Sequence, residues 1–222
     1  MAEYKIILFD LDGTLSDPKE GITKSVQYAL AKMGIVESDT DRLETFIGPP
    51  LQVSFAEYYG LDEKQSIRAI DFYRDRFKEK GMFENVLYPD ISLLLEALNE
   101  CCFILVVATS KPTVFAEQII KYFELEKYFQ LIVGSNLDGT RASKTEIIQY
   151  ILDKYSEFNR GDFVMIGDRK HDIIGAKNTG IDSIGVTYGY GSQEEIRDAE
   201  PTCIVSSIDQ LKDMLLGSRV YK

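Results

Sequence analysis

The sequence predicts an α/β protein: a mostly parallel sheet covered by helices on both faces, carrying an inserted all-helical segment. Three observations predict it. Short runs rich in Ile, Val and Phe recur at residues 4–9, 103–108, 131–133, 163–166 and 183–186. Amphipathic helical patterns separate the later runs, at residues 113–123, 144–155 and 172–178. Between Thr14 and Phe103 no convincing strand appears, and residues 18–80 read as helices.

The first run, Ile6-Ile7-Leu8-Phe9, ends in Asp10-Leu11-Asp12-Gly13-Thr14. Side chains alternate across a strand, so Asp10 and Asp12 share a side while Leu11 faces the other. Two like charges beside a hydrophobic strand are costly unless a cation or hydrogen bonds offset them. The pair therefore points to a hard divalent cation and to something that the cation holds. Gly13 suits the tight turn out of the strand, and Thr14 offers a hydroxyl to orient it. A calcium-binding helix-loop-helix is excluded, because a loop starting at Asp10 lacks that motif's glycine and glutamate.

The insertion follows. Ile22, Val26, Ala29, Leu30 and Met33 form one apolar stripe, and Ile67, Ile70, Phe72, Tyr73 and Phe77 suggest a second. Gly48-Pro49-Pro50 punctuates the interval. The expected boundaries are a core of residues 1–15 and 85–222 and an inserted helical unit of residues 16–84. A unit rooted beside the Asp-rich loop is well placed to act as a lid. Leu93, Leu94, Leu95 and Leu98 predict a helix packed on the core, residues 202–205 an edge strand, and residues 207–216 a closing helix.

Ligands of a parallel α/β sheet bind at the carboxyl ends of its strands, and three more polar clusters fall there. Thr109-Ser110-Lys111-Pro112 follows the strongest strand pattern; hydroxyls and free N–H groups before a helix start form an anion cradle. Lys144 opens the next helix, against the helix dipole, and an ammonium paired with phosphate would explain it. Arg141 is the competing cation, and Ser143 is the expected cap. Gly167-Asp168-Arg169-Lys170-His171-Asp172 ends the strand at 163–166. Adjacent strand ends would gather Asp10, Asp12 and Asp168 around one ion, through two carboxylates and the Asp12 main-chain carbonyl, with Asp172 in the same patch. Oxygen ligation favours Mg2+ over zinc. The lone His171 lacks companion ligands and reads as a loop residue.

Composition limits the rest. The chain has 222 residues, a 45% hydrophobic fraction and a net charge of -11, which suits one core plus an insertion and disfavours nucleic-acid polymers and anionic membranes. The longest apolar run, residues 101–108, is far shorter than the roughly 20 residues that cross a bilayer. Cys101, Cys102 and Cys203 form no ligand cluster; Cys101 and Cys102 open the strand pattern that continues through 103–108 and are expected as buried thiols, and all three suit a reduced cytoplasm.

Together these motifs resemble those of the haloacid dehalogenase-like hydrolases. DxDGT is met by Asp10, Asp12, Gly13 and Thr14; the second motif by Thr109 with Ser110; the third by Lys144; and GDxxxD by Gly167, Asp168 and Asp172. The proline that often follows the third-motif lysine is Thr145 here. The resemblance implies a Rossmann-like core with a helical cap and an aspartyl-phosphate mechanism. Asp10 would be the nucleophile and Asp12 the general acid and base. Thr109 and the Ser110 amide would hold phosphoryl oxygens and Lys144 would balance charge. Mg2+ would be bound by Asp10, Asp12 and Asp168, supported by Asp172 and Thr14.

Dehalogenases of the family lack the second aspartate, so Asp12 indicates phosphate chemistry. Phosphonate hydrolases carry a Schiff-base lysine in the cap; none is assigned here, although Lys19 and Lys24 keep that reading open. Hexose-phosphate mutases often have Val or Ile in place of Thr14. The chain looks most like the phosphoglycolate phosphatase group. Its Phe46-Ile47-Gly48-Pro49-Pro50-Leu51 and Val186-Thr187-Tyr188-Gly189-Tyr190-Gly191 segments resemble a branch described as 5'-nucleotidases. The expectation is a Mg-dependent phosphatase of small phosphate monoesters, a 5'-nucleotidase first and a phosphoglycolate phosphatase second. Sugar-phosphate phosphatase, mutase and non-catalytic interaction module are lesser readings. Gly48 and Lys111 are the expected additional contacts to the substrate.

Overall fold

A computed structural model describes residues 4–217. Its sheet strands are β1 (Ile6–Phe9), β4 (Ile104–Pro112), β5 (Leu131–Ser135), β6 (Phe163–Gly167), β7 (Asp182–Val186) and β8 (Cys203–Val205), while Ser16–Asp17 (β2) and Val86–Leu87 (β3) pair as a two-stranded ribbon. The helices are α1 (Lys19–Lys32), α2 (Leu51–Tyr59), α3 (Glu63–Arg76), α4 (Ile91–Glu100), α5 (Thr113–Tyr122), α6 (Lys144–Lys154), α7 (Lys170–Thr179), α8 (Gln193–Asp198) and α9 (Ile208–Leu216).

The large sheet is parallel throughout and ordered β5-β4-β1-β6-β7-β8. The chain builds outward from β1 to one side, then returns to build outward on the other. This is the doubly wound Rossmann order, whose crevice opens at the carboxyl ends where the winding reverses. Phe9 is in register with Val107 on one side and Ile166 on the other. The residues that follow Phe9, Val107 and Ile166 therefore emerge side by side. Alternation along the strands sends Ile6, Leu8, Val106, Ala108, Phe163 and Met165 to one face, where they pack on Ile147, Ile148 and Ile151 of α6. Among the described residues no helix is long and apolar enough to cross a membrane.

The chain divides into two compact units. One runs up to Ser16 and resumes at Leu87; the other is Asp17–Val86. The second unit is helical. Phe46 packs on Phe55 at a ring-centroid distance of 5.0 Å, and Tyr73 stacks on Phe77 at 5.2 Å. Helix α3 starts with a capping box between Asp62 and Gln65. Arg76 grips Glu84 with two hydrogen bonds, at 2.8 and 2.9 Å.

Three expectations are corrected. The buried face of α3 is Ser66, Ala69 and Tyr73, while Ile67 is exposed; small side chains let α3 lie close to α1, and the larger Ile67 turns outward. Leu93 is exposed, whereas Leu94, Leu95 and Leu98 are buried, because consecutive helical residues cannot all face the core. Cys102 is exposed at φ 61° and Cys101 is half-buried. They form the turn closing α4 and not the start of β4.

Candidate active site

Four strand ends supply the polar groups. The Asp10 amide donates to the Ile166 carbonyl at 2.9 Å, which extends the β1–β6 pairing by one residue and fixes where the Asp10 side chain begins. Its Oδ1 accepts from the Leu11 amide at 2.7 Å and lies 2.8 Å from Lys144 Nζ.

Lys144 is the hub of the site. Its ammonium also lies 2.6 Å from Asp172 Oδ1 and donates to the Ala108 carbonyl at 2.7 Å. It thus makes two ion pairs and one hydrogen bond. Burial alone would push the Lys144 ammonium down, but Asp10 and Asp172 outweigh burial and leave it raised, so it stays charged. The lysine is delivered by the first turn of α6, which Ser143 caps in a capping box with Glu146.

Asp168, at the end of β6, is fully buried. Its Oδ1 accepts from the Thr14 hydroxyl at 3.3 Å and its Oδ2 from the Tyr190 amide at 2.7 Å. Burial, then Asp10 and Asp172, push its carboxyl up to about 8. Asp172 sits in the first turn of α7, with Oδ2 accepting from the Arg169 amide at 3.1 Å. Burial raises its carboxyl too, against the pull of Lys144.

One carboxylate oxygen from each of Asp10, Asp168 and Asp172 lies within 4.8 Å of the others. Three buried carboxylates gather there, and only Asp10 and Asp172 of them pair with the Lys144 ammonium. An all-oxygen donor set with excess negative charge fits a hard divalent cation. The Asp12 carboxylate is not among the three. Its Oδ2 lies 2.8 Å from Lys111 Nζ, while its Oδ1 is buried without a hydrogen-bond partner. Burial raises the Asp12 carboxyl against the opposing pull of Lys111. Thr109 is buried at the β4 end, its Oγ1 accepting from the Lys111 amide at 3.2 Å.

The structure thus brings Asp10, Asp12, Thr14, Thr109, Lys111, Lys144, Asp168 and Asp172 to one end of the sheet. Ser110 lies between Thr109 and Lys111, and its carbonyl accepts from Ser135 Oγ at 2.9 Å. Gly48 belongs to the helical unit, in the turn before α2. Arg141 is not the site cation: its guanidinium donates to the Gly134 carbonyl and to Asn136. The Schiff-base candidates fare no better. Lys19 is paired with Glu44 and Asp41, and Lys24 with Glu20, hydrogen bonds that raise both ammonium groups, whereas Schiff-base chemistry requires a depressed amine.

Two features escaped the sequence reading. One is the Lys111–Asp12 pair. The other is the loop after β7: Tyr188 OH donates to the Thr14 carbonyl at 3.1 Å, the Tyr190 amide holds Asp168, and Gly189 lies so close that a Cβ would strike Asp168 and the Gly13 carbonyl. The alternation of Gly189 and Gly191 with tyrosine at a strand end was the available signal, since glycines there mark close backbone approach.

Comparison with known proteins agrees with this geometry. Residues 7–186 match the family model described as haloacid dehalogenase-like hydrolase. The chain is 49% identical over 213 residues to a 5'-nucleotidase of Pseudomonas aeruginosa, covering 96% of each chain. It is 29% identical to a phosphoglycolate phosphatase of Vibrio vulnificus, covering 97% of this chain and 98% of that one. The crystal structure of a predicted phosphatase from Clostridium acetobutylicum superposes with a TM-score of 0.93 at 51% identity, covering 96% of this chain and 99% of the other. With three motif-bearing strand ends and the α6 lysine converging on one buried carboxylate cluster, the chain belongs to the haloacid dehalogenase-like hydrolases, as a phosphoric monoester hydrolase.

Proposed function

We propose that the protein is a Mg-dependent 5'-nucleotidase that hydrolyses nucleoside 5'-monophosphates through a phosphorylated Asp10. The observation that carries the reaction class is the pairing of Asp10, held by the Lys144 ammonium, with a second carboxylate whose Oδ1 is buried and uncommitted. One group attacks and the other moves the proton.

In this reading Asp10 attacks phosphorus and the ester P–O bond breaks. The electron pair stays on the leaving oxygen, which takes a proton from Asp12. Asp12, now ionised, accepts a proton from water as that water attacks the aspartyl phosphate, which releases inorganic phosphate and restores Asp10. Thr109 and the Ser110 amide hold the phosphoryl oxygens, and Lys144 offsets their charge. The Asp10 and Asp168 carboxylates with the Asp12 carbonyl would hold Mg2+, steadied by Asp172 and Thr14, and the ion would supply charge neutralisation of the phosphoryl group.

The leaving group is assigned from likeness. The 49% identity with a 5'-nucleotidase over 96% of both chains supports the nucleoside, and the 29% identity with a phosphoglycolate phosphatase supports the runner-up. The helical insertion, expected over residues 16–84, is assigned as the unit that selects the leaving group, with the Gly48 turn as its specificity element. Three free cysteines are consistent with a reducing cytoplasm.

The test is phosphate release with Mg2+ across nucleoside 5'-monophosphates, phosphoglycolate and sugar phosphates, compared by kcat/KM. A nucleotide preference of about a hundredfold, roughly 3 kcal/mol of discrimination, establishes the nucleotidase. A like preference for phosphoglycolate replaces it.

A further inference from the structure

Lys111 is among the most buried cations of the described residues. Its side chain is 5% exposed, and its ammonium lies 2.8 Å from Asp12 Oδ2. Lysine is seldom so enclosed unless paired, and the backbone is shaped to put it there. Pairing of β4 with β5 jumps from Ala108↔Val133 to Pro112↔Ser135, four residue steps on β4 against two on β5. A bulge of this kind bends the strand and re-aims its side chains.

The bulge is held from several sides. The Lys111 amide donates to Thr109 Oγ1, and Ser135 Oγ donates to the Ser110 carbonyl. The Lys111 carbonyl lies against Gly134, where a Cβ would collide with it.

The consequence falls on Asp12. Its two oxygens are unequal: Oδ2 is committed to Lys111, and Oδ1 is buried with no hydrogen-bond partner. A carboxyl group free to rotate would present either oxygen at many angles. Here one oxygen is tethered, which restricts the carboxyl's rotation and leaves Oδ1 as the oxygen available for a proton.

We propose that Lys111 is a positioning residue for proton transfer: by anchoring Oδ2 it aims Oδ1 of Asp12 at the leaving oxygen. The proposal rests on the reading of Asp12 as the proton donor. When the P–O bond breaks, the electron pair remains on the leaving oxygen, the proton on Oδ1 passes to it, and the resulting carboxylate stays on the Lys111 ammonium through Oδ2. An ammonium used in this way serves the acid and not the phosphoryl group. Its loss is therefore felt in proportion to how much the leaving group needs a proton.

Two substrates of like shape separate these roles. para-Nitrophenyl phosphate leaves as a stable phenolate, whereas benzyl phosphate must leave as an alcohol. In the full chain with Mg2+, kcat/KM reports every step through leaving-group departure. Lys111→Met is expected to lower kcat/KM for benzyl phosphate at least about tenfold more than for para-nitrophenyl phosphate, or about 1.4 kcal/mol. Lys111→Arg, which keeps a cation, is expected to recover part of that gap. The ratio is taken on one preparation, so partial unfolding cancels from it.

An equal loss on both substrates overturns the proposal and assigns Lys111 to substrate binding or to the fold. Asp12→Asn in the same assay keeps the two levels apart. If it widens the gap while Lys111→Met does not, only the Lys111 assignment fails. If Asp12→Asn also loses equally on both substrates, Asp12 is not the acid and the parent reading fails with it.

Discussion

The Lys144 ammonium lies 2.8 Å from Asp10 Oδ1 while also touching Asp172 and the Ala108 carbonyl, and its side chain is 4% exposed. One cation thus ties the ends of β1 and β4 to the first turns of α6 and α7. A buried charge with several partners is expensive to orphan. Removing one side of such a pair costs about 3–5 kcal/mol, because the remaining charges stay buried and uncompensated.

Lys144→Met is accordingly expected to lose most activity, by about a hundredfold or more, and to be destabilised by about 3 kcal/mol or more. Urea unfolding monitored by circular dichroism, beside steady-state kinetics, measures both. Unchanged stability would show that Lys144 is not the electrostatic hub of the site.

Gly189 lies where a Cβ would strike Asp168 and the Gly13 carbonyl. Gly189→Ala is expected to cost about 1–3 kcal/mol through overpacking and to weaken Mg2+ binding about tenfold or more, since outer groups that orient a metal ligand are worth that much. Calorimetric titration with Mg2+ in the absence of substrate reads the second effect directly.

The metal-free protein has a predictable response to pH. Asp168 is raised to about 8 in the folded state against 3.8 when unfolded, and Asp172 is raised as well. A group raised by folding supports the native state fully below its unfolded value and loses that support as pH rises through its folded value. Melting temperature in chelator should therefore fall as pH climbs from about 4 to about 8. Saturating Mg2+ should flatten the decline, because ligation needs the ionised carboxylates. The same slope with and without Mg2+ would contradict the assigned site.

Glu84 tests the helical unit separately. The Arg76 guanidinium holds its carboxyl below the usual range, so the stability that this pair contributes is present above about 4.5 and lost as pH falls below it. Arg76→Met should shift acid unfolding to higher pH and leave Mg2+ affinity unchanged.

The fold was legible because its signals are local. An Ile- and Val-rich run that ends in a charged residue marks a buried strand and its functional end together, as at Ile6–Asp10 and at Phe163–Asp168. The strand order follows from few choices once the strands are parallel. Lys111 was harder. Its direction is set by a bulge, and a bulge breaks the two-residue period from which side-chain directions are inferred. Position alone suggested Lys111 as a substrate contact; the pairing with Asp12 was not legible from it. The Tyr188–Gly191 segment was noticed for its glycines and tyrosines, but its bracing role was not, because it acts through the Tyr190 amide and the absence of a Cβ at Gly189. Ile67 and Leu93 show the remaining limit, since hydrophobicity alone does not choose between neighbouring positions on a helix.

The central claim is that Asp10 becomes phosphorylated. The most direct measurement is acid quenching of the enzyme during turnover of a phosphate monoester with Mg2+, followed by mass spectrometry of the peptide that contains residues 6–15. The account predicts a phosphoryl adduct on Asp10 that disappears in Asp10→Asn together with turnover. An adduct on another residue, or Mg-dependent turnover retained by Asp10→Asn, would contradict it.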